Sequence, residues 1–220
     1  MKILAFDTAT QACTAAVWID GSAHERLELG QRHAERLLVL IDDVLAEAGV
    51  ALNDLDAIAF GRGPGSFTGL RISAGVAQGL AFGADLPVLP VSSLAALALG
   101  APAPKVLAAI DARMQQVYWG AYVKNAAMEL QGEEIVTAPS EVPLPAGAGW
   151  IGAGSGWDQY ADALQTRLKQ HATQWLRGCY PRARAVAELG AADFAAGKAV
   201  APEQALPVYI RDDVAVKKNV

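Results

Sequence analysis

The chain has 220 residues, room for one large domain or two small ones, and enough length to bury a core without disulfide or metal staples. Its net charge of −5, with 19% charged residues, argues against a generic polyanion-gripping surface, because a chain that holds nucleic acid by itself shows a basic excess or stripe. The hydrophobic fraction of 53% includes 45 alanines, no run reaches the roughly 18 apolar residues of a membrane span, and the opening MKILAFDTAT is no signal peptide; the expectation is a cytoplasmic protein with no membrane contact.

Residues 2–7 (KILAFD) read as a buried strand and 12–19 (ACTAAVWI) as a second. Asp20-Gly21 then marks a hairpin into a third strand over 22–29, because both turn positions favour positive φ. A helix is predicted over 33–48 (HAERLLVLIDDVLAEA), closed by Gly49. A strand at 56–60 follows, then a glycine-rich loop, a helix from about Thr68 to Phe82, a short strand Pro87–Val91, and a helix capped by Ser92 and reaching about Leu99. GAPAP at 100–104 reads as a linker. After it the pattern restarts, with strands at 105–110, 116–123 and 128–136, a strand at 148–152, and helices at 156–170 and 182–196. The order βββαβαβα with a partial second copy predicts two similar α/β lobes of mixed sheet, 1–103 and 104–220. That element order resembles the actin, hexokinase and Hsp70 ATPase folds, and fold by itself does not fix function.

The sharpest local feature is the run Gly61 to Arg71, GRGPGSFTGLR, which leaves a strand and enters a helix. Glycines in that place let backbone amides converge on an anion at a helix N-terminus. It is not a Walker loop, since G-x-x-x-x-G-K-[ST] needs a lysine. The competing reading is a tight strand-to-helix connection with Thr68 as N-cap. Asp7 and Thr8, at the end of the first strand, stand where an acidic residue of the ATPase folds approaches a metal or phosphates, although an Asp there is commonly a turn former. Asp7, Thr8, Gly63, Gly65, Ser66 and Thr68 are therefore the candidate nucleotide or anion contacts. The run Gly152 to Gly156 (GAGSG) is a weaker candidate of the same kind.

Hydrolytic or metal chemistry has little support. The three histidines, His24, His33 and His171, show no metal-ligand spacing, and Ser66 is not in a G-x-S-x-G elbow. Cys13 and Cys179 form no C-x-x-C pair, suit a reducing compartment and read as structural thiols.

Two helices carry a different signal. The apolar positions of 33–48, among them Leu37, Leu38, Ile41, Val44 and Leu45, make a stripe wider than one core-facing face. In 68–83, Gly75, Gly79 and Gly83 recur every four residues, and each glycine inside a helix costs about 1 kcal/mol against alanine. Such a line implies a close backbone approach, either by this chain's own sheet or by the helix of a partner.

AFDTAT, GRGPGSFTGLRIS, PVLPVSSLAAL and the Ala112-Arg113 to Val117-Tyr118 segment together resemble the TsaB family, formerly YeaZ, and the LPVYIRDDVA end at 206–215 is similar to that family's tail. The resemblance covers most of residues 1–120 and is loose over 125–200. It implies a two-lobed fold of the actin and Hsp70 type, and an accessory role in forming threonylcarbamoyladenosine on tRNA. It implies the catalytic paralogue TsaD as partner, which moves a threonylcarbamoyl group from its adenylate to the adenosine beside the anticodon, and the ATPase TsaE as a third component. TsaD carries V-N-H-x-x-G-H, whose histidines hold a metal; here Val91 to Leu97 reads VSSLAAL, so Ser93 and Leu97 stand at those positions and no metal is expected.

The reading is thus a non-catalytic scaffold or activator, self-paired as a homodimer when alone and touching tRNA only through the complex. The predicted partner face comprises Leu37, Leu38, Ile41, Val44 and Leu45 of the first helix with Arg71, Ile72, Gly75, Gly79 and Gly83 of the second. No tightly bound cofactor is expected, with ATP or ADP at a subunit boundary as the candidate ligand. The alternative is a self-sufficient ATPase or sugar-kinase-like enzyme, which needs a catalytic carboxylate and phosphate loops in both lobes. A metallopeptidase is opposed by the missing histidine pair.

Overall fold

The computed structural model describes residues 1–30 and 32–211. Strands β1 (Lys2–Asp7), β2 (Ala12–Ile19) and β3 (Ser22–Leu29) form an antiparallel meander, with Asp20 and Gly21 turning the hairpin at φ 47° and 97°. Helix α1 (His33–Ala48) stops at Gly49, whose φ of 65° only glycine adopts cheaply. Strands β4 (Ala57–Gly63) and β5 (Val88–Ser92) add in parallel beside β1, joined by helix α2 (Phe67–Ala84), so the sheet order is β3-β2-β1-β4-β5. One face of this sheet is covered by α1 and α2: Leu37, Leu40, Ile41 and Val44 pack with Ala74, Ala77 and Ala81 against Leu4, Phe6, Ile58 and Phe60.

Helix α3 (Ser93–Gly100) leads to the second sheet. Strands β6 (Lys105–Asp111), β7 (Val117–Lys124), β8 (Met128–Leu130), β10 (Ile151–Ala153) and β11 (Gln174–Leu176) lie in the order β11-β10-β6-β7-β8, while β9 (Ile135–Thr137) pairs with β7 off this path. With β6 for β1, β7 for β2, β8 for β3, β10 for β4 and β11 for β5, this is the strand order of the first sheet repeated. Helix α4 (Ser155–Leu168) takes the place of α2, and the segment between β8 and β10 holds no counterpart of α1. The fold is thus a duplicated, two-lobed α/β arrangement of the actin, hexokinase and Hsp70 kind. The strand expected over 128–136 is split, because Gly132 turns the chain at φ 87°. Strand β11 is three residues long, too short for a readable alternation.

The last helix of each half packs on the other lobe's sheet. Leu94, Leu97 and Ala98 of α3 meet Val106, Ala108 and Ile110 of β6, and helix α5 (Ala183–Ala195) lays Ala185, Val186, Ala187 and Ala191 on Ile3, Ala5, Ala57 and Ala59 of the first sheet. The chain then stays with the first lobe: Val200 bridges Val88, and the Val208 amide donates to the Arg62 carbonyl at 2.8 Å. A division at 103/104 is corrected accordingly, since the C-terminal stretch belongs with the first sheet. The physical reason is that this sheet has a second apolar face, which α1 and α2 cannot reach and which needs its own cover. No described helix is long and apolar enough to cross a membrane.

Candidate functional site

Between the lobes lies a cleft of about 840 Å3. The turn after β1 and the start of α2 wall it on one side; the end of β6 and the start of α4 wall it on the other. Asp7 does not face it. The side chain is fully buried, with Oδ2 accepting from Ser93 Oγ at 2.6 Å and Oδ1 accepting from the Ala9 amide at 2.8 Å. Burial pushes its carboxyl up to about 6, against the opposing pull of those two hydrogen bonds. Thr8 is also buried, and its hydroxyl donates to the Gly69 carbonyl at 2.7 Å.

The glycine-rich run lies directly on this turn. A Cβ on Gly61 would sit 1.8 Å from Asp7 Oδ2, one on Gly65 2.3 Å from the Ala9 carbonyl oxygen, and one on Gly69 1.9 Å from the Thr8 carbonyl oxygen. The Ser66 amide donates to the Ala9 carbonyl at 2.7 Å, which ties loop to turn. Gly63 is closed in by Leu70 and the Val208 carbonyl. The nucleotide-contact expectation is therefore corrected for Asp7, Thr8 and Gly63: Gly61 packs on the Asp7 carboxylate, Gly69 on the Thr8 backbone, and Leu70 covers Gly63, so all three are buried. Gly65 is buried and borders the cleft, whereas Ser66 and Thr68 line it and are exposed. The N-cap of α2 is Ser66, not Thr68; its Oγ accepts from the Gly69 amide at 3.4 Å.

The second lobe repeats the plan and leaves it open. Asp111 ends β6 as Asp7 ends β1, and its Oδ1 accepts from the Arg113 amide at 2.9 Å. Arg113, Met114 and Gln115 all have left-handed φ, of 61°, 51° and 58°, a conformation that costs non-glycine residues about 1–2 kcal/mol each. Arg113 stands exposed at the rim, paired with Asp111 at 3.1 Å. Gly152 and Gly154 serve packing, since Cβ atoms there would reach 2.3 Å from Trp157 and 2.3 Å from the Ala109 carbonyl oxygen. Ser155 lines the cleft and accepts from the Asp111 amide at 3.0 Å. His33 reaches the cleft too, but its Nε2 donates to the Thr10 carbonyl at 2.8 Å. Burial pushes the Cys13 thiol up to about 12, as suits an inert thiol. Among the described residues, no group of three His, Cys, Asp or Glu side chains is placed to hold a metal.

The outer face of α1 and α2 forms the second candidate. Leu37, Ile41 and Val44 drop out of it, because they are 0%, 2% and 0% exposed and fill the first lobe's core. Leu45 and Ile72 are half-buried against the same core. The wide apolar stripe of α1 is really two features: a core-facing side, and an exposed pair, Leu38 and Val39. On α2 the glycines point outward. Gly75, Gly79 and Gly83 are exposed, and a Cβ added to any of them would meet nothing within 4 Å. Their own sheet gives no reason for them. Arg71 lies on this face with its guanidinium 3.8 Å from the centre of the exposed Phe67 ring, and Phe82 stands exposed beside Gly83. Phe67, Val39 and Phe82 were not legible as surface residues, because an apolar residue in a helix reads first as core.

Over 99% of its length the chain is 43% identical to a protein of Escherichia coli K12 named tRNA threonylcarbamoyladenosine biosynthesis protein TsaB, 98% of which is covered. The chain belongs to the TsaB family. A TsaB of Haemophilus influenzae is 37% identical, with 99% of this chain and 97% of that one covered. The solved structure of YeaZ from Pseudomonas aeruginosa superposes with a TM-score of 0.87 at 47% identity, covering 94% of this chain and 99% of that chain. A family model described as TsaD, tRNA N6-adenosine threonylcarbamoyltransferase, matches residues 28–216, which places this TsaB-family chain among relatives of that fold. The tail similarity at 206–215 runs past the described residues from 212 onward. The segment 91–97 is taken up by structure: Ser92 caps α3, Ser93 holds Asp7, and Leu97 is buried between α3 and the second sheet.

Proposed function

We propose that this chain is a non-catalytic scaffold and activator in the formation of threonylcarbamoyladenosine on tRNA, docking through the outer face of α1 and α2 onto a TsaD-like paralogue, with a TsaE-like ATPase in the same complex. Membership of the TsaB family supports the pathway. The observation that carries the docking role is the outward line of Gly75, Gly79 and Gly83. Three exposed helix glycines are a standing cost of about 1 kcal/mol each, and among the described residues nothing lies within 4 Å of a Cβ built on any of them. A partner helix that comes close along that line offsets the cost. The same patch suits self-pairing when the paralogue is absent, because an isologous contact needs only a self-complementary surface.

A catalytic role has less support. A kinase-like ATPase needs a carboxylate that reaches the phosphates, and Asp7 is fully buried against Gly61 and Ser93. In the cleft, the Ser66 and Ser155 hydroxyls accept from backbone amides, and among the described residues no base holds either of them. A nucleotide at the subunit boundary would meet Ser66 and Thr68, the two exposed members of the glycine run. The test is reconstitution of tRNA threonylcarbamoylation from the paralogue, the ATPase and the adenylate synthase, with and without this chain. Multiple turnover is expected only when it is present, and no modification from the chain alone. Full turnover without it refutes the scaffold role.

A further inference from the structure

Where the lobes join, two neighbouring serines face two carboxylates from opposite lobes. Ser93 donates to Asp7 of β1, and Ser92 donates to Glu134, which lies between β8 and β9 of the second lobe. Tyr122 of β7 donates its phenol to the same Glu134 oxygen, Oε1. The Ser92 hydroxyl also accepts from the Ala95 amide at 3.1 Å, so the group that caps α3 is the group that reaches across. Burial first, and then the Glu134 carboxylate, push the Tyr122 phenol well above the usual tyrosine range, which keeps it a donor at any working pH.

Each pocket is hollowed by a glycine in the middle of a sheet. Gly61 leaves the space that Asp7 Oδ2 fills. Gly120 leaves the space over which the Tyr122 ring folds, since a Cβ there would lie 2.7 Å from Cε2 and 3.2 Å from the hydroxyl. A glycine inside a strand weakens it and marks a close approach. Both positions therefore read as made for the polar group seated there.

Helix α3 is otherwise held by apolar contact with both sheets, Ala96 on the first and Leu94 and Leu97 on the second. Apolar burial is non-directional and leaves an angle between lobes loosely specified. A hydroxyl donating to a carboxylate is directional and stronger than a neutral pair. Strand β7 connects this junction to the cleft, because Tyr118, four residues before Tyr122, lines the cleft wall.

We propose that Glu134 is a latch between the lobes: through Ser92 it fixes the angle at α3 and hence the width of the cleft, while Tyr122 holds the carboxylate in place. Glu134 acts here as a positioning residue and touches no reacting group.

The test uses the full chain with Cys179→Ser and spin labels on cysteines placed at the exposed positions Asn53 and Thr166, one on each lobe, read by dipolar electron spin resonance. Glu134→Ala and Ser92→Ala should each broaden the inter-lobe distance distribution, with the circular dichroism spectrum unchanged. Tyr122→Phe keeps the Ser92–Glu134 bond and should broaden it less. If Glu134→Ala fails to fold, Ser92→Ala decides, since it removes the cross-lobe donor and leaves Tyr122 on Glu134. An unchanged distribution in the folded Ser92→Ala protein overturns the latch, as does a larger effect from Tyr122→Phe than from Ser92→Ala.

Discussion

At the scale of single residues, Asp7 departs most from ordinary behaviour. Its carboxyl titrates near 6 in the folded chain against 3.8 unfolded, because full burial disfavours the charge more than Ser93 and the Ala9 amide favour it. The folded state therefore binds the proton more tightly than the unfolded state. The contribution of Asp7 is fully present below pH 3.8 and is lost as pH rises through about 6. The shift corresponds to roughly 3 kcal/mol between those limits. Denaturant unfolding between pH 4 and 7 should show wild-type stability falling relative to Asp7→Asn by a sizeable part of that amount, and parallel curves would refute it. The sequence marks Asp7 as special but misplaces its role. A strand-end Asp next to a glycine run suits a phosphate site and a sealed turn equally, and only the 1.8 Å between Asp7 Oδ2 and a Cβ on Gly61 separates the two. Glu134 and Tyr122 left no local signal, because their meeting depends on the fold of two strands and the approach of a helix from the other lobe.

At the scale of elements, periodicity and turn chemistry gave the strands and helices of the first lobe nearly to the residue, α1 at 33–48 included. They failed where an element is short, as in β11, or where partner choice is tertiary, as in α5. An alanine-rich helix says that it packs closely and does not say on which sheet. The glycines of the helices show the same division. Gly79 and Gly190 look alike in sequence, but Gly79 meets open space and Gly190 would put a Cβ 2.9 Å from that of Ala59. Gly79→Ala should raise the isolated chain's stability by about 1 kcal/mol through helix propensity alone. Gly190→Ala should lower it by about 1–3 kcal/mol through overpacking against β4. Thermal melting of the two variants checks both signs together. A destabilised Gly79→Ala would mean that the α2 stripe packs inward after all.

At the scale of the molecule, two repeated lobes exchange their last helices, close a shared cleft, and leave one helical face uncovered by any of the described residues. Asp7 and Thr8, the first-lobe residues that would meet phosphates, are buried against the glycine loop, while glycines on α2 are left bare toward solvent. That contrast supports the proposed docking role. The most direct measurement is a calorimetric titration of a TsaD-like paralogue with the wild-type chain and with Gly75→Leu and Gly79→Leu, each first checked to melt no lower than the wild type. The wild type should bind, and each leucine should weaken binding by roughly ten- to a hundredfold, because overpacking at a close helix contact costs about 1–3 kcal/mol. Equal affinity for the folded leucine variants and the wild type would contradict the docking face.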